Sequence, residues 1–344
     1  MGTQAHFTKF HNAIKLSKTD DAYTNSREKD TSITQAVKDA FREKGYPAIE
    51  DFIQGSFATD TAIISLDGDF DIDRAIVIDD DQAPENPVDP KKVVLDVLEK
   101  RGFSNAKIKK PCVTADYQAQ NLHIDFPIYK KSGTSYYLAV GKRGSDENNR
   151  EWSSSDPKGL KDWIKNKSSY IGSADDKLQQ FNRLVRYLKR WRDHKFSGDV
   201  AAKVYSIGLT VMIKNHFQPS FDNDGKPCDA TALRNTVQRI FDSNHFQYQS
   251  EGLYKVYAAL PVAPYRDIFD GSSVDTGTQL RNKLSKLIEK MDAALAESDE
   301  KKQCTTFQWL FGDDFTIPDD TDNSLSETRA VFASSGSVGT SQGA

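Results

Sequence analysis

DFIQGSFATDTAIISLDGDFDIDRAIVI, residues 51–78, is the stretch on which the fold of this chain turns. From Phe70 onward it alternates as a strand does, with Phe70 and Ile72 on one face and Asp69, Asp71 and Asp73 on the other. The run Ala75-Ile76-Val77-Ile78 then predicts a strand buried on both faces. Alternate carboxylates on one face stand about 7 Å apart and repel unless an exposed edge or a cation offsets them. A hard divalent ion, Mg²⁺ or Mn²⁺, is the natural compensator. The plainer alternative is a solvated acidic turn, because Asp67, Asp79, Asp80 and Asp81 are close by. An EF-hand loop does not fit, since the register from Asp67 puts Ile72 at the required glycine and Ile78 at the bidentate glutamate.

Upstream, Gln54-Gly55-Ser56-Phe57 is followed by Thr59 and Thr61. A Gly-Ser pair permits close backbone approach and offers a hydroxyl donor, which suits a phosphate, although the same pair also makes plain turns. Downstream, Leu122-His123-Ile124-Asp125-Phe126 alternates again, with Asp125 and His123 on the polar face. A carboxylate on a neighbouring strand would complete a two-metal site or take the proton of an attacking hydroxyl. His123 reads as a strand-surface histidine. A phosphate grip and metal carboxylates are the two parts that nucleotidyl transfer requires.

Around this centre the first fifty residues read as helical, with Ile33, Ala36, Val37 and Phe41 at helical spacing and Gly45 as a stop. A loop at 79–90 leads to a helix opened by Pro90, and strands follow near AKIKKPCVTADY, NLHIDFPIY and YYLAVGKRG. From about residue 158 the pattern is helical. Residues 174–195 carry an apolar stripe of Leu178, Phe181, Val185, Leu188 and Trp191. Arg183, Arg186, Lys189 and Arg190 fall on roughly one side of that helix, opposite the stripe, and only Asp193 is acidic within 181–195. Such a helix is either a solvated face or a basic wall facing an acidic strand across a cleft. Tyr136, Tyr137 and Trp152 are either core aromatics or stacking platforms for a base.

Composition narrows the class. The 344 residues exceed one typical domain and can bury a large core without staples. Mean hydropathy is −0.64 and no window holds 18 apolar residues in a row, so no membrane helix is expected. The opening residues hold no apolar run, and position 6 is His rather than Ser or Thr, so neither a secretory leader nor N-myristoylation is expected. Cys112, Cys228 and Cys304 are scattered, which fits a reducing cytoplasm and excludes a cysteine zinc site. A net charge of −4 makes stable DNA binding unexpected.

QGSFATDT, DFDIDRAIVI and LHIDFPIY together resemble the Pol-β-like nucleotidyltransferase superfamily. EWSSSDPKGLKDWI, RYLKRWRDHKF, the tripeptide Ser206-Ile207-Gly208 and WLFGDDF narrow the resemblance to the bacterial cGAS/DncV-like nucleotidyltransferases, the CD-NTases of CBASS anti-phage operons. The resemblance covers nearly the whole chain. It implies an α+β, two-lobed fold with a mixed-sheet catalytic lobe at 1–157 that includes the N-terminal helix, a helical second lobe at 158–320, and a disordered tail at 321–344. Asp71 and Asp73 match the metal-binding DxD, with Asp69 and Asp71 as the alternative register, and Asp125 matches the third catalytic aspartate. Gly55 and Ser56 match the triphosphate loop, Gln54 and Thr61 flank it, and Lys189 and Ser206 look like second-lobe phosphate holders.

The implied activity is two-metal synthesis of a cyclic dinucleotide, from ATP and GTP, as a second messenger for a CBASS effector in a bacterial cytoplasm. The alternatives are addition of single nucleotides to an RNA, small-molecule or protein acceptor, or an inactive nucleotide-binding regulator. The resemblance also implies conjugation through Ala344 by E1/E2-like partners. No cluster for the animal branch's zinc insert is present. Arg74 follows the DxD where many relatives carry a small residue, and is expected to pair with Asp71 or Asp73.

Overall fold

The computed structural model describes residues 2–16, 21–66, 70–117 and 122–318. The chain begins with α1 (Thr3–Ile14), α2 (Asp21–Glu43), β1 (Ala48–Gln54), the one-turn α3 (Gly55–Ala58) and β2 (Phe70–Asp79). There follow α4 (Val88–Lys100), β3 (Lys107–Ile108), β4 (Val113–Tyr117), β5 (Leu122–Phe126), β6 (Ile128–Ser132), β7 (Ser135–Val140) and β8 (Glu151–Ser155). The remainder is mostly helical: α5 (Pro157–Lys165), α6 (Ala174–Lys195), α7 (Gly198–Ala201), α8 (Ser206–His216), α9 (Asp229–Phe241), the hairpin β9 (Phe246–Tyr248) and β10 (Tyr254–Val256), α10 (Val274–Ala296) and α11 (Glu300–Phe311). The expected α+β architecture with a mixed sheet is what forms.

β2 is the spine of the sheet. β5 and β6 run parallel to it in one continuous register, Phe70 opposite Leu122 and Ile76 opposite Ile128, interrupted only at Pro127. β1 pairs antiparallel with β2. The alternation at 75–78 works as its spacing predicts. Ile76 and Ile78 join Ile72 in a core covered by α2 and α4, while Ala75 and Val77 pack with Tyr129 and Tyr136 on the other face. β1 and β8 are strands that the sequence reading did not single out. Both are largely half-buried, so neither shows a sharp apolar period.

The second core gathers around α6, where Phe181, Leu184, Val185, Leu188 and Trp191 are buried. α1 belongs to this core. Phe7, Phe10 and Ile14 pack in it, with Phe7 5.0 Å from Phe307 and Phe10 5.1 Å from Phe311 between ring centres. The N-terminal helix therefore sits with the second lobe rather than with the catalytic lobe to which its sequence position assigned it. Its aromatic face needs aromatic partners, and α11 carries them.

Arg74 departs from expectation for a simple reason. One residue after Asp73, it points to the opposite face of β2. There it is 6% exposed and grips Asp30 of α2 through Nε (3.0 Å) and Nη2, and Asp51 of β1 through Nη1 (3.0 Å). It pairs with neither Asp71 nor Asp73. Asp30 is fully buried, so this ion pair is costly to break from one side. Asp30→Ala is expected to destabilise the protein by about 3 kcal/mol in urea unfolding, well beyond Lys38→Ala, at a half-buried lysine 2.8 Å from Asp51. A loss under about 1 kcal/mol would mean that Asp51 alone satisfies Arg74.

Candidate active site

Strand register assembles the carboxylates. In β2–β5, Asp73 lies opposite Asp125 and Asp71 opposite His123, and in β1–β2, Gln54 lies opposite Asp73. The three aspartates open onto one cavity of about 510 Å³. Gln54, Gly55, Ser56, Thr61, Lys189 and Ser206 line the same cavity, so the described aspartates and phosphate-binding residues expected from sequence converge there. Asp69, the alternative start of the carboxylate pair, and Ala344 lie outside the described residues.

Burial and crowding of like charge both bear on the central carboxylate. Burial, then Asp125, then Asp71 raise the Asp73 carboxyl to about 7. Asp125 is held from the next strand, where Thr114 sits opposite it and donates its hydroxyl to Oδ1; Lys109 Nζ stands 3.7 Å from the same oxygen. His123 spends Nδ1 on Asp116, at 2.6 Å. Among the described residues, no three His, Cys, Asp or Glu side chains are arranged to grip one ion by themselves. The donor set still fits divalent Mg²⁺ or Mn²⁺, which take one or two carboxylates and complete their shell with water and substrate phosphate. Repulsion that burdens Asp73 is the deficit such ions would relieve.

Gly55 is required twice over. Its φ of +66° is a left-handed conformation, and a Cβ there would stand 1.9 Å from Asp73 Oδ2. The turn into α3 thus presses against the carboxylate and sets Ser56 at the cavity wall. Gln54 accepts a hydrogen bond from the buried Tyr129 hydroxyl at 3.0 Å, which fixes the strand end before the turn.

The second lobe supplies the cations, though fewer than the sequence suggested. Lys189 is 5% exposed and donates to the Thr61 carbonyl at 2.9 Å; burial, then Arg192 and Arg186, lower its ammonium to about 7. Arg192, which the sequence reading left out, lines the cavity and donates to Ser206 Oγ at 2.6 Å and to Asp193. Arg183 is instead neutralised by the buried Asp229 of α9, at 2.6 and 2.8 Å. Arg190 reaches the Ile64 carbonyl and Asp314. α6 is therefore not one basic wall, because its cations diverge to different neighbours. Gly208 lets α8 come close, since a Cβ there would meet the Phe269 ring at 2.4 Å. The aromatics considered as base platforms do not line the cavity. Tyr136 is buried and bonds Glu50, and Trp152 Nε1 donates to the Pro84 carbonyl.

Thr114 and Lys109 also escaped the sequence reading. Only the antiparallel register of β4 on β5 reveals Thr114, and nothing local marks Lys109.

A carboxyl raised to about 7 binds its proton more tightly folded than unfolded, so folding stability falls as pH rises from about 4 through 7. Asp73→Asn is expected to raise the stability of chelator-treated protein at pH 8 by on the order of 1–2 kcal/mol, and to change it little at pH 4, as read by thermal unfolding. An equal effect at both pH values would remove the repulsion as its cause. Gly55→Ala is expected to cost about 1–3 kcal/mol and to weaken Mg²⁺-induced stabilisation, whereas Gly225→Ala, also at positive φ but in open space, should leave the Mg²⁺ effect intact.

Comparison with known proteins bears on the fold and on the first half of the chain. Residues 1–168 match the Second Messenger Oligonucleotide or Dinucleotide Synthetase domain. A cyclic GMP-AMP synthase of Escherichia albertii is 31% identical over 182 residues; the match spans 50% of this chain and 38% of that protein. The fold is similar to that of Vibrio cholerae DncV cyclic AMP-GMP synthase, solved with a linear intermediate, at a TM-score of 0.67 and 15% identity over 90% of this chain and 97% of that one. It is also similar to the CD-NTase CdnG of Bradyrhizobium diazoefficiens, solved with GTP, at a TM-score of 0.65 and 13% identity over 90% and 96% of the two chains. At these identities the solved structures establish fold, and the sequence matches establish kinship in the catalytic lobe. Residues 1–168 thus match the synthetase domain of second-messenger enzymes, and the described chain shares the fold of the cGAS/DncV-like nucleotidyltransferases, the CD-NTases.

Proposed function

We propose that this chain is a cyclic oligonucleotide synthase that joins ATP and GTP into a cyclic dinucleotide. The observation that carries this reading is the convergence of Asp71, Asp73 and Asp125 with Gly55-Ser56 and Lys189 on one cavity between the two lobes. The choice of ATP and GTP is supported by the kinship to a protein named cyclic GMP-AMP synthase.

Bound at the carboxylates, two Mg²⁺ or Mn²⁺ ions would supply positive charge to the attacking and leaving oxygens of an in-line displacement. Asp71 and Asp73 would hold them, with Asp125 completing the set. Asp125, which Thr114 holds by a hydrogen bond, would accept the proton of a ribose hydroxyl as it attacks an α-phosphate. The Ser56 hydroxyl and the Lys189 ammonium hold the donor triphosphate, and Lys189 gives up the Thr61 carbonyl to do so. Ser206 stands in the first turn of the 11-residue α8, whose N-terminal amides favour phosphate. Gln54 and Thr61 shape the loop around it. Two such transfers in one cavity close the ring.

On this reading residues 1–157 carry the chemistry, 158–320 close the cleft, and 321–344 form a tail for conjugation through Ala344 by E1/E2-like partners. The product then acts on a CBASS effector in a bacterial cytoplasm. No described helix is long and apolar enough to cross a membrane. Intact-mass analysis of protein co-expressed with its operon neighbours would show an Ala344-linked adduct, and its absence would end the conjugation idea.

Incubation with α-labelled ATP, GTP, CTP and UTP and Mg²⁺, followed by phosphatase and mass spectrometry, is expected to give a phosphatase-resistant dinucleotide that needs both ATP and GTP. Asp71→Ala/Asp73→Ala should abolish it, and Asp125→Asn should lower it by about 10²–10⁴-fold. Label appearing only on an added RNA or protein would overturn cyclisation in favour of single-nucleotide transfer. ATP binding without pyrophosphate release would mark a regulator.

A further inference from the structure

A second cavity, of about 530 Å³, adjoins the first and shares Ser56, Phe57 and Ala62 with it, but none of the three aspartates opens onto it. Its cations are Lys15, just beyond α1, Lys165 at the end of α5, and Arg183 and Arg186 of α6. Against these four stand two carboxylates, Asp60 and Asp175, in a chain whose net charge is −4. Each carboxylate is already engaged, Asp60 by Lys165 at 2.8 Å and Asp175 by Lys167. Arg183 is neutralised by Asp229. Among the described residues Arg186, 6% exposed, hydrogen-bonds only neutral acceptors: the carbonyls of Asp60 and Ala62 and, at 3.2 Å, His11 Nε2. Burial and the Arg186 charge lower His11 to about 4, so it is neutral at ordinary pH. A buried guanidinium that hydrogen-bonds only neutral acceptors among the described residues, with the nearby Asp60 carboxylate bonded to Lys165, keeps its charge available to an anion.

Two further features point to an organic ligand. Asn182 Oδ1 is buried and has no hydrogen-bond partner among the described residues. Leu16, Leu178 and Phe57 give the cavity an apolar side. The volume suits a small ligand with one ring system.

We infer that this second cavity binds a nucleoside phosphate, with its phosphates toward Arg186 and Lys15 and a ring N–H on Asn182. The cavity is placed to sense, or to influence, the first. Arg186 and Lys189 lie one turn apart on α6 and grip three consecutive carbonyls from alternate sides: Arg186 takes those of Asp60 and Ala62, and Lys189 takes that of Thr61. The strip 60–62 is thus a shared wall. A phosphate that draws Arg186 off its two carbonyls loosens the strip that holds Lys189. An effect on nucleotidyl transfer rests on the function proposed above, whereas binding itself does not.

The test is calorimetric titration of ADP in EDTA, which removes divalent ions from the carboxylates. Lys189→Met, which strips the first cavity of its buried ammonium, is expected to keep one ADP site. Adding Lys15→Glu and Lys165→Gln should weaken that site at least tenfold, while adding Lys161→Gln, which lines only the other cavities, should not. Loss of all ADP binding in Lys189→Met that folds normally, or indifference to Lys15→Glu/Lys165→Gln, overturns the site. Inorganic phosphate binding as tightly as ADP overturns the nucleoside part. Should Lys189→Met fail to fold, hydrogen exchange of the otherwise unaltered protein decides. ADP should protect 60–62 and the first half of α6, and Lys15→Glu/Lys165→Gln should remove that protection; protection that survives the substitutions, or none at all, overturns the inference. Since no step requires turnover, these outcomes stand apart from success or failure of the synthase assay.

Discussion

Repulsion between Asp73 and Asp125 is the constraint around which the catalytic lobe is organised. Parallel pairing of β2 with β5 sets the two carboxylates side by side, and Asp71 adds a third charge one pleat away. A sheet does not adopt that arrangement without support. β2 is pinned from the opposite face by Arg74 on Asp30 and Asp51, a buried pair that ties strand to helix. Asp125 is steadied by Thr114 and Lys109. Gly55, without a Cβ, allows the backbone to press against Asp73. The strand is thus held from both faces while its carboxylates stay crowded, an arrangement that positive charge would relieve.

α6 performs the corresponding task in the other lobe. A helix with six Lys or Arg between 181 and 195 looks like one charged surface on a helical projection. In the fold each cation meets a different neighbour. Arg183 anchors α9 through Asp229, Arg186 and Lys189 take alternate carbonyls of the 60–62 strip, Arg190 takes Ile64, and Arg192 orients Ser206. Most of these bonds hold the two lobes together. Of these cations only Lys189 and Arg192 line the first cavity, and burial weakens the hold of Lys189 on its own proton.

Much of the site was legible because its signals are local. The spacing of Asp71 and Asp73 on a strand, the glycine before Ser56 and the isolated Asp125 each follow from period-two alternation or from backbone geometry within a few residues. What escaped was carried by pairing at a distance. Thr114 acquires its role only when β4 lies antiparallel on β5, and the partner of Arg74, which strand alternation turns away from Asp71 and Asp73, is Asp30 of α2, 44 residues upstream. α1 reads as a generic helix until Phe307 and Phe311 supply a surface for its aromatic face.

The sequence by itself determined which residues share a strand face, where the chain must turn without a Cβ, and that three carboxylates need a counter-charge, because dihedral limits and like-charge repulsion act over a few residues. Tertiary structure alone decided which cations of α6 face the cleft. That choice depends on acceptors such as the Ala62 carbonyl, 124 residues from Arg186 in the chain, and no local pattern encodes which distant carbonyl or carboxylate will arrive to claim a side chain.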